Sequence, residues 1–241
     1  MKILELYKPK IGKKAADIAK GFFSRRVASN SSYDYDIIWL NERLAKIGWS
    51  PLNNGGYSRV YSNPKKKYVL KVNSHEDRAY DKFVLLIKGL RNKHFPIISD
   101  RKELAVPVKP MYDDDGDSIA NQWNTPPKIY HVYMIEKLEP IPGPYNENYA
   151  SVLSGLIDIY REEMNPSRDR MLEILTRDYL TQEEIPDAMR FMAENPALVR
   201  AAAVLGNATK NTKLGIDMHA GNIMQREDGT VVIIDPYVDW V

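Results

Sequence analysis

The chain has 241 residues, 44% hydrophobic and 27% charged, the make-up of a water-soluble globular protein with room for a two-lobed core. It has no cysteine, which excludes disulfides and Cys-ligated zinc, and no apolar run approaches the ~18 residues of a membrane span. Net charge is +2, too small to make the whole chain polyanion-seeking. The first residues lack a signal-peptide pattern, so a cytoplasmic protein with no membrane partner is expected.

Charge is uneven. Residues 1–30 carry eight Lys/Arg against two acids, +6, which leaves −4 for the remainder. This basic N-terminal arm is read as a solvated, partly mobile leader, with contact to an acidic partner or nucleic acid as the functional alternative. Nucleic acid is not expected anywhere else. Within the arm, residues 12–24 have the pattern of a short amphipathic helix. Tyr33 to Ile47 repeats apolar residues at helical period, and Gly48 stops it.

Asn54-Gly-Gly-Tyr-Ser-Arg-Val-Tyr61 is a glycine-containing turn followed by a β-prone pair, and Lys67-Tyr-Val-Leu-Lys-Val72 is a second strand. Backbone N–H groups in such a flap can approach phosphates, because glycine has no Cβ. Lys71, alternating with Leu70 and Val72, suits a phosphate contact. His75 to Leu90 reads as a helix striped by Tyr80, Phe83, Val84 and Ile87. Glu76 shares that face and seeks a cation, with Lys71 the obvious one; Asp77 competes, and capping the helix explains either acid equally well.

Leu104 to Met111 and Lys128 to Leu138 read as strands. The Asp113–Asp117 run between them lacks the glycine and glutamate of a calcium loop and is read as an exposed turn. Pro140, Pro142 and Pro144 mark a boundary between a strand-rich and a helical half. The expected division is a basic arm and leading helix over 1–50, a strand-rich lobe over 51–139 and a helical lobe over 140–241. Helices are expected at 149–164, 167–180, from a capping box at Thr181-Gln-Glu-Glu184, and at 197–210.

The last helix delivers the chain to Leu214-Gly-Ile-Asp-Met-His-Ala-Gly-Asn-Ile-Met224 and Val231-Val-Ile-Ile-Asp-Pro236. Asp228-Gly229 signals a two-residue hairpin, which folds Asp235 back beside Asn222. A carboxylate and a carboxamide converging there can hold Mg²⁺. Asp217, five residues before Asn222, can orient or deprotonate a hydroxyl. A D-x-x-x-x-N loop followed by a metal-binding Asp one hairpin later is a kinase catalytic-loop arrangement; a surface loop with turn-forming polar residues is the alternative for any one residue.

In its order of parts the chain resembles the protein-kinase-like fold, an α+β two-lobed architecture. Gly55–Tyr61, 216–224 and 234–240 most resemble the early serine/threonine protein kinases of T7-like bacteriophages. The resemblance implies an ATP- and Mg²⁺-dependent phosphotransferase acting on host proteins, the transcription or translation machinery among them, in the host cytoplasm, and helping to shut off host transcription. It implies roles for Asp217 toward the substrate hydroxyl, Asn222 and Asp235 toward Mg²⁺, and Lys71 toward phosphates with Glu76 as partner. Gly55, Gly56 and Tyr57 would cover the phosphates, and Glu136 and Leu138 would hydrogen-bond adenine. His219 stands where protein kinases often carry a lysine and aminoglycoside-type phosphotransferases a histidine.

The chain departs from the protein-kinase pattern in having Gly215-Ile216 before the Asp, Pro236 after Asp235, and no activation segment. A small-molecule kinase of the aminoglycoside type, with Glu162, Glu163, Asp169 and Glu173 as an acidic pocket, is therefore a second expectation. A non-catalytic protein that binds and inhibits a host target is a third.

Overall fold

The computed structural model describes residues 9–28, 33–54, 58–73, 78–108, 126–143 and 145–239. Gly55, Gly56, Tyr57, Glu76 and the Asp113–Asp117 run lie outside these residues. Seven α-helices and a five-stranded antiparallel sheet among the described residues give mixed α/β content compatible with an α+β class. None of these helices is long and apolar enough to cross a membrane. The chain divides into two compact units, residues 1–77 with 97–137, and residues 78–96 with 138–241.

In the first unit, α1 (Lys13–Ala28) and α2 (Tyr33–Ala45) precede the sheet. Its strands are β1 (Ser50–Asn54), β2 (Ser58–Ser62), β3 (Tyr68–Asn73), β4 (Ile98–Val106) and β5 (Lys128–Glu136), in the order β1-β2-β3-β5-β4. β3 takes the middle because Val69 to Asn73 are buried without interruption. Successive side chains point to opposite faces, so Leu70 and Val72 enter one hydrophobic cluster with Val132 and Met134 of β5. α1 and α2 complete that cluster with Ala19, Phe22, Phe23, Leu40 and Leu44. The Phe23 and Tyr130 rings stack at 3.8 Å.

Residues 9–28 are therefore not a solvated leader. The apolar stripe of α1 is core, and the basic residues Lys13, Lys14, Lys20 and Arg25 occupy its exposed side. Arg25 also reaches the buried carboxylate of Asp36 at 3.3 Å and lies over the Trp39 ring, which Arg43 also approaches.

The second unit opens with α3 (Arg78–Ile87) and later takes up β6 (Glu139–Pro140), α4 (Tyr145–Glu162), α5 (Arg168–Asp178), α6 (Ile185–Glu194) and α7 (Pro196–Thr209). Leu153, Leu156 and Ile157 of α4 and Leu198, Ala201, Ala202 and Leu205 of α7 are fully buried. The two helices approach closely at Gly206, where a Cβ would lie 2.3 Å from the Ile157 carbonyl oxygen.

The capping box forms: Thr181 donates its N–H and its hydroxyl to one Glu184 carboxylate oxygen, each at 2.8 Å. These bonds hold Glu184 below the usual carboxylate range. It caps a turn rather than the helix, which begins at Ile185.

After α7 come β7 (Leu214–Ile216), a 3₁₀ turn (Ala220–Asn222), β8 (Ile223–Gln225), β9 (Val231–Ile233) and β10 (Tyr237–Asp239). β10 pairs with β7, and β8 pairs with both β6 and β9. Phe83 of α3 meets Phe95 and Tyr237 edge-on, at 6.1 and 6.2 Å. The Tyr237 hydroxyl donates to Leu205 O of α7 at 2.8 Å, and burial raises its pKa. These contacts seat β10 on the helices of the unit.

Candidate functional site

The site grows out of a hairpin. Ile223 pairs with Ile233 and Gln225 with Val231. Arg226 N–H closes onto Thr230 O at 3.0 Å and Gly229 N–H onto Arg226 O at 2.9 Å. The loop thus has three residues, 227–229, not the expected two. Gly229 at φ +79° supplies the left-handed residue that such a loop needs. Asp228 accepts from Thr230 N–H at 2.9 Å, which holds its carboxyl below the usual range.

Three hydrogen bonds join the stretches that carry Asp217, Asn222 and Asp235. Ile234 N–H donates to Asn222 O at 3.0 Å, and Asp217 N–H donates to Pro236 O at 2.9 Å. The Asn222 side-chain amide donates to Asp217 O at 2.6 Å. Asp235 is the residue between the two backbone anchors, so the hairpin and the β7–β10 pair hold it from both sides. Asn222 is buried and Asp235 half-buried, while the Asp217 side chain is 49% exposed.

The Asn222 amide nitrogen is committed inward, with Asp217 Oδ2 also 3.4 Å away. That leaves its Oδ1 as the atom of this side chain that could face a cation. An amide oxygen and the Asp235 carboxylate are both hard oxygen donors, the type that suits Mg²⁺ bound jointly with phosphates. Among the described residues no group of three or more His, Asp or Glu gathers as a metal cluster. The remaining ligands of a divalent ion here would come from phosphate and water.

His219 ends the approach to the 3₁₀ turn. Its Nδ1 accepts from Gly221 N–H at 3.1 Å, and Asn222 N–H donates to its backbone oxygen at 2.9 Å. A ring accepting at Nδ1 carries its proton on Nε2 when neutral. That nitrogen lies 4.0 Å from Asp217 Oδ2. The site therefore offers one exposed carboxylate with an N–H donor beside it.

Other expected site residues are placed as follows. Lys71 is buried at the centre of β3, opposite Val60 and Tyr133. It points to the sheet face away from Leu70 and Val72, as the alternation requires. Glu136 ends β5, where Ile97 N–H donates to its carboxylate at 2.8 Å and its own N–H donates to Ile97 O. Leu138 is buried. Of the four acids expected as an acidic pocket, Glu163 and Glu173 both bind Arg170, at 2.9 and 3.0 Å.

One residue near the site escaped the sequence reading. Asn146, in the first turn of α4, donates its side-chain amide to Ala220 O at 2.9 Å. An asparagine at the start of a helix gives no signal of a partner 74 residues away.

No protein-family model matches the chain, and no curated protein matches it in sequence.

Proposed function

We propose that the chain is an ATP- and Mg²⁺-dependent phosphotransferase with a protein-kinase-like two-lobed fold. The substrate best suited to it is a serine or threonine hydroxyl of a protein. The observation that carries the reading is the three-bond connection among the Asp217, Asn222 and Asp235 stretches. Phosphoryl transfer asks a protein mainly for positioning and charge neutralisation. Here the Asp217 carboxylate is left to the substrate, and two oxygen donors, Asn222 and Asp235, stand on stretches hydrogen-bonded to its own.

In this reading Asp217 orients the attacking hydroxyl and receives its proton. Asn222 Oδ1 and the Asp235 carboxylate hold Mg²⁺. The ion neutralises charge on the phosphates when bound. Lys71 serves the phosphates, Gly55, Gly56 and Tyr57 the flap, Glu76 the partner role to Lys71, and Glu136 and Leu138 the adenine. His219 presents its Nε2–H beside Asp217.

Half-exposure of Asp217 favours a macromolecular hydroxyl over a small molecule that must be enclosed. The aminoglycoside-type alternative is weakened because Arg170 neutralises two of its four acids. By resemblance, the host proteins of a T7-like bacteriophage infection are the substrate class, with transcription shutoff as the consequence. A protein that only binds a host target would have no chemical need for the amide, the two carboxylates and the strand lysine together.

The test is transfer of labelled γ-phosphate from Mg-ATP by wild type and Asp217→Asn, each alone, with bacterial lysate, and with an aminoglycoside panel. Asp217-dependent label on protein is expected. Label on the small molecules would move the assignment to them. Nucleotide binding without any Asp217-dependent transfer would make the chain a binding protein on a kinase scaffold.

A further inference from the structure

We infer that Asn146 is a positioning residue for the Asp217–Asn222 loop, holding its 3₁₀ turn from the first turn of α4. This rests on the phosphotransferase reading for its catalytic consequence, though not for its structural one. Ala220 O is the acceptor of two bonds: Ile223 N–H closes the 3₁₀ turn onto it, and the Asn146 amide donates to it at 2.9 Å. Both lone pairs of that oxygen are thereby used. The turn it starts ends in Asn222, whose own amide is bound to Asp217 O. Asn146 is the tie in this chain of bonds that comes from a helix.

Its other amide atom makes the case sharper. Asn146 Oδ1 is buried and has no hydrogen-bond partner among the described residues. A buried acceptor without a donor costs free energy, and an apolar side chain of similar size would remove that cost. As a packing element, then, asparagine is a poor choice at this position. As a donor to Ala220 O it is a good one: α4 is anchored by Val152, Leu153, Leu156 and Ile157 in the core, so the amide fixes the turn to a rigid support.

A purely structural side chain and a positioning one make different demands under substitution. Asn146→Ala and Asn146→Leu remove the donor and the unsatisfied acceptor together, so thermal stability should change little. Phosphate transfer should fall by roughly 10- to 100-fold, because small misplacements of a catalytic group cost rates of that order. The loss should fall on kcat and on the KM for Mg-ATP, through Asn222. Asn146→Asp keeps the acceptor and turns a second acceptor toward Ala220 O, and should be at least as impaired as Asn146→Ala.

The experiment is a parallel measurement, on the full chain, of melting temperature, transfer kinetics and amide hydrogen exchange of residues 217–224. Faster exchange at Gly221, Asn222 and Ile223 in Asn146→Ala, with a melting temperature near that of wild type, is the expected result. Unchanged exchange in that segment overturns the inference, whether or not the protein transfers phosphate. So does a rate that falls only in proportion to lost stability. If wild type itself transfers no phosphate, the functional reading fails, while the exchange data still decide the role of Asn146.

Discussion

The Asn222 side-chain amide donates to the backbone oxygen of Asp217 at 2.6 Å, which ties the two polar ends of the loop together. In the proposed reading the bond also decides which atom of Asn222 would face a cation, because an amide nitrogen spent inward leaves Oδ1 for that role. Asn222→Asp separates the two duties. The carboxylate is a stronger Mg²⁺ ligand, yet it has no donor for Asp217 O and adds negative charge beside Asp217. Transfer by Asn222→Asp should fall about 10-fold or more, measured as kcat across a Mg²⁺ titration. Activity equal to wild type would mean that the amide bond has no part in catalysis.

Asp235 sits between Ile234, bonded to Asn222, and Pro236, bonded to Asp217. Asp235→Ala leaves both backbone bonds available and removes only the carboxylate. Mg²⁺-dependent turnover should be lost. A variant that turns over Mg-ATP normally would remove Asp235 from the metal assignment. If Asp235→Asn restores part of the rate at high Mg²⁺, the carboxylate acts as a ligand and not as a base.

His219 has a different duty on each ring nitrogen. Asparagine places its oxygen near the position of Nδ1, whereas glutamine reaches toward that of Nε2. His219→Asn should keep the acceptor for Gly221 N–H, and with it the affinity for Mg-ATP, and should lose rate only to the extent that Nε2–H serves the reacting groups. His219→Gln should lose the turn and raise the KM for Mg-ATP. The comparison of both constants in the two variants reads the roles apart; identical defects would show that the ring only fills space.

How much of this was legible in the sequence follows from how local each feature is. Asp217, Asn222 and Asp235 lie within 19 residues, and the Asp228-Gly229 pair announced the hairpin that folds them together. That pair suggests a two-residue loop, because the backbone bond from Arg226 to Thr230 that makes it three leaves no trace in side-chain pattern. The lysines of residues 1–30 suggest a solvated leader, although residues 12–24 carry the pattern of a short amphipathic helix. The Ala15, Ala19 and Phe23 stripe of α1 shows its meaning only once a sheet exists to receive it. The Pro236 and Asn146 contacts are hydrogen bonds between distant segments, and no spacing rule encodes them. α3 reads as part of the strand-rich half by position in the chain, yet Phe83 meets Tyr237, and Lys82 pairs with Asp239 at 3.2 Å.

Gly206 tests the helical packing beneath the site. Glycine inside a helix costs about 1 kcal/mol relative to alanine, so Gly206→Ala would stabilise an isolated helix. In this chain the new Cβ would lie 2.3 Å from Ile157 O and 2.9 Å from Arg161 N, both backbone atoms that cannot rotate away. Overpacking of that kind costs roughly 1–3 kcal/mol, which outweighs the propensity gain. Gly206→Ala should lower the urea midpoint, while Gly12→Ala, with nothing within 4 Å, should not lower it for any steric reason.

His94 gives the second unit a pH dependence whose sign can be worked out. Its Nδ1 lies 2.7 Å from Val231 O, so that nitrogen carries the proton, and Ile233 N–H donates to its backbone oxygen. It thus braces the strand that leads to Asp235. Nε2 is buried without a hydrogen-bond partner among the described residues. A second proton would place an unsatisfied charged donor there, close to Lys93, Arg226 and Arg200. Burial first, and these cations after it, lower the pKa of His94 below its ordinary 6.5, against the opposing pull of the Val231 bond. The unfolded chain therefore binds the proton more readily than the folded one. Stability from this residue is full above about pH 6.5 and declines as the pH falls from there toward the folded-state pKa. The urea midpoint of the full chain should drop between about pH 7.5 and 5.5. In His94→Asn, which keeps a donor for Val231 O and does not titrate, the same interval should show a smaller drop. Equal drops in the two proteins would assign the acid sensitivity to other groups.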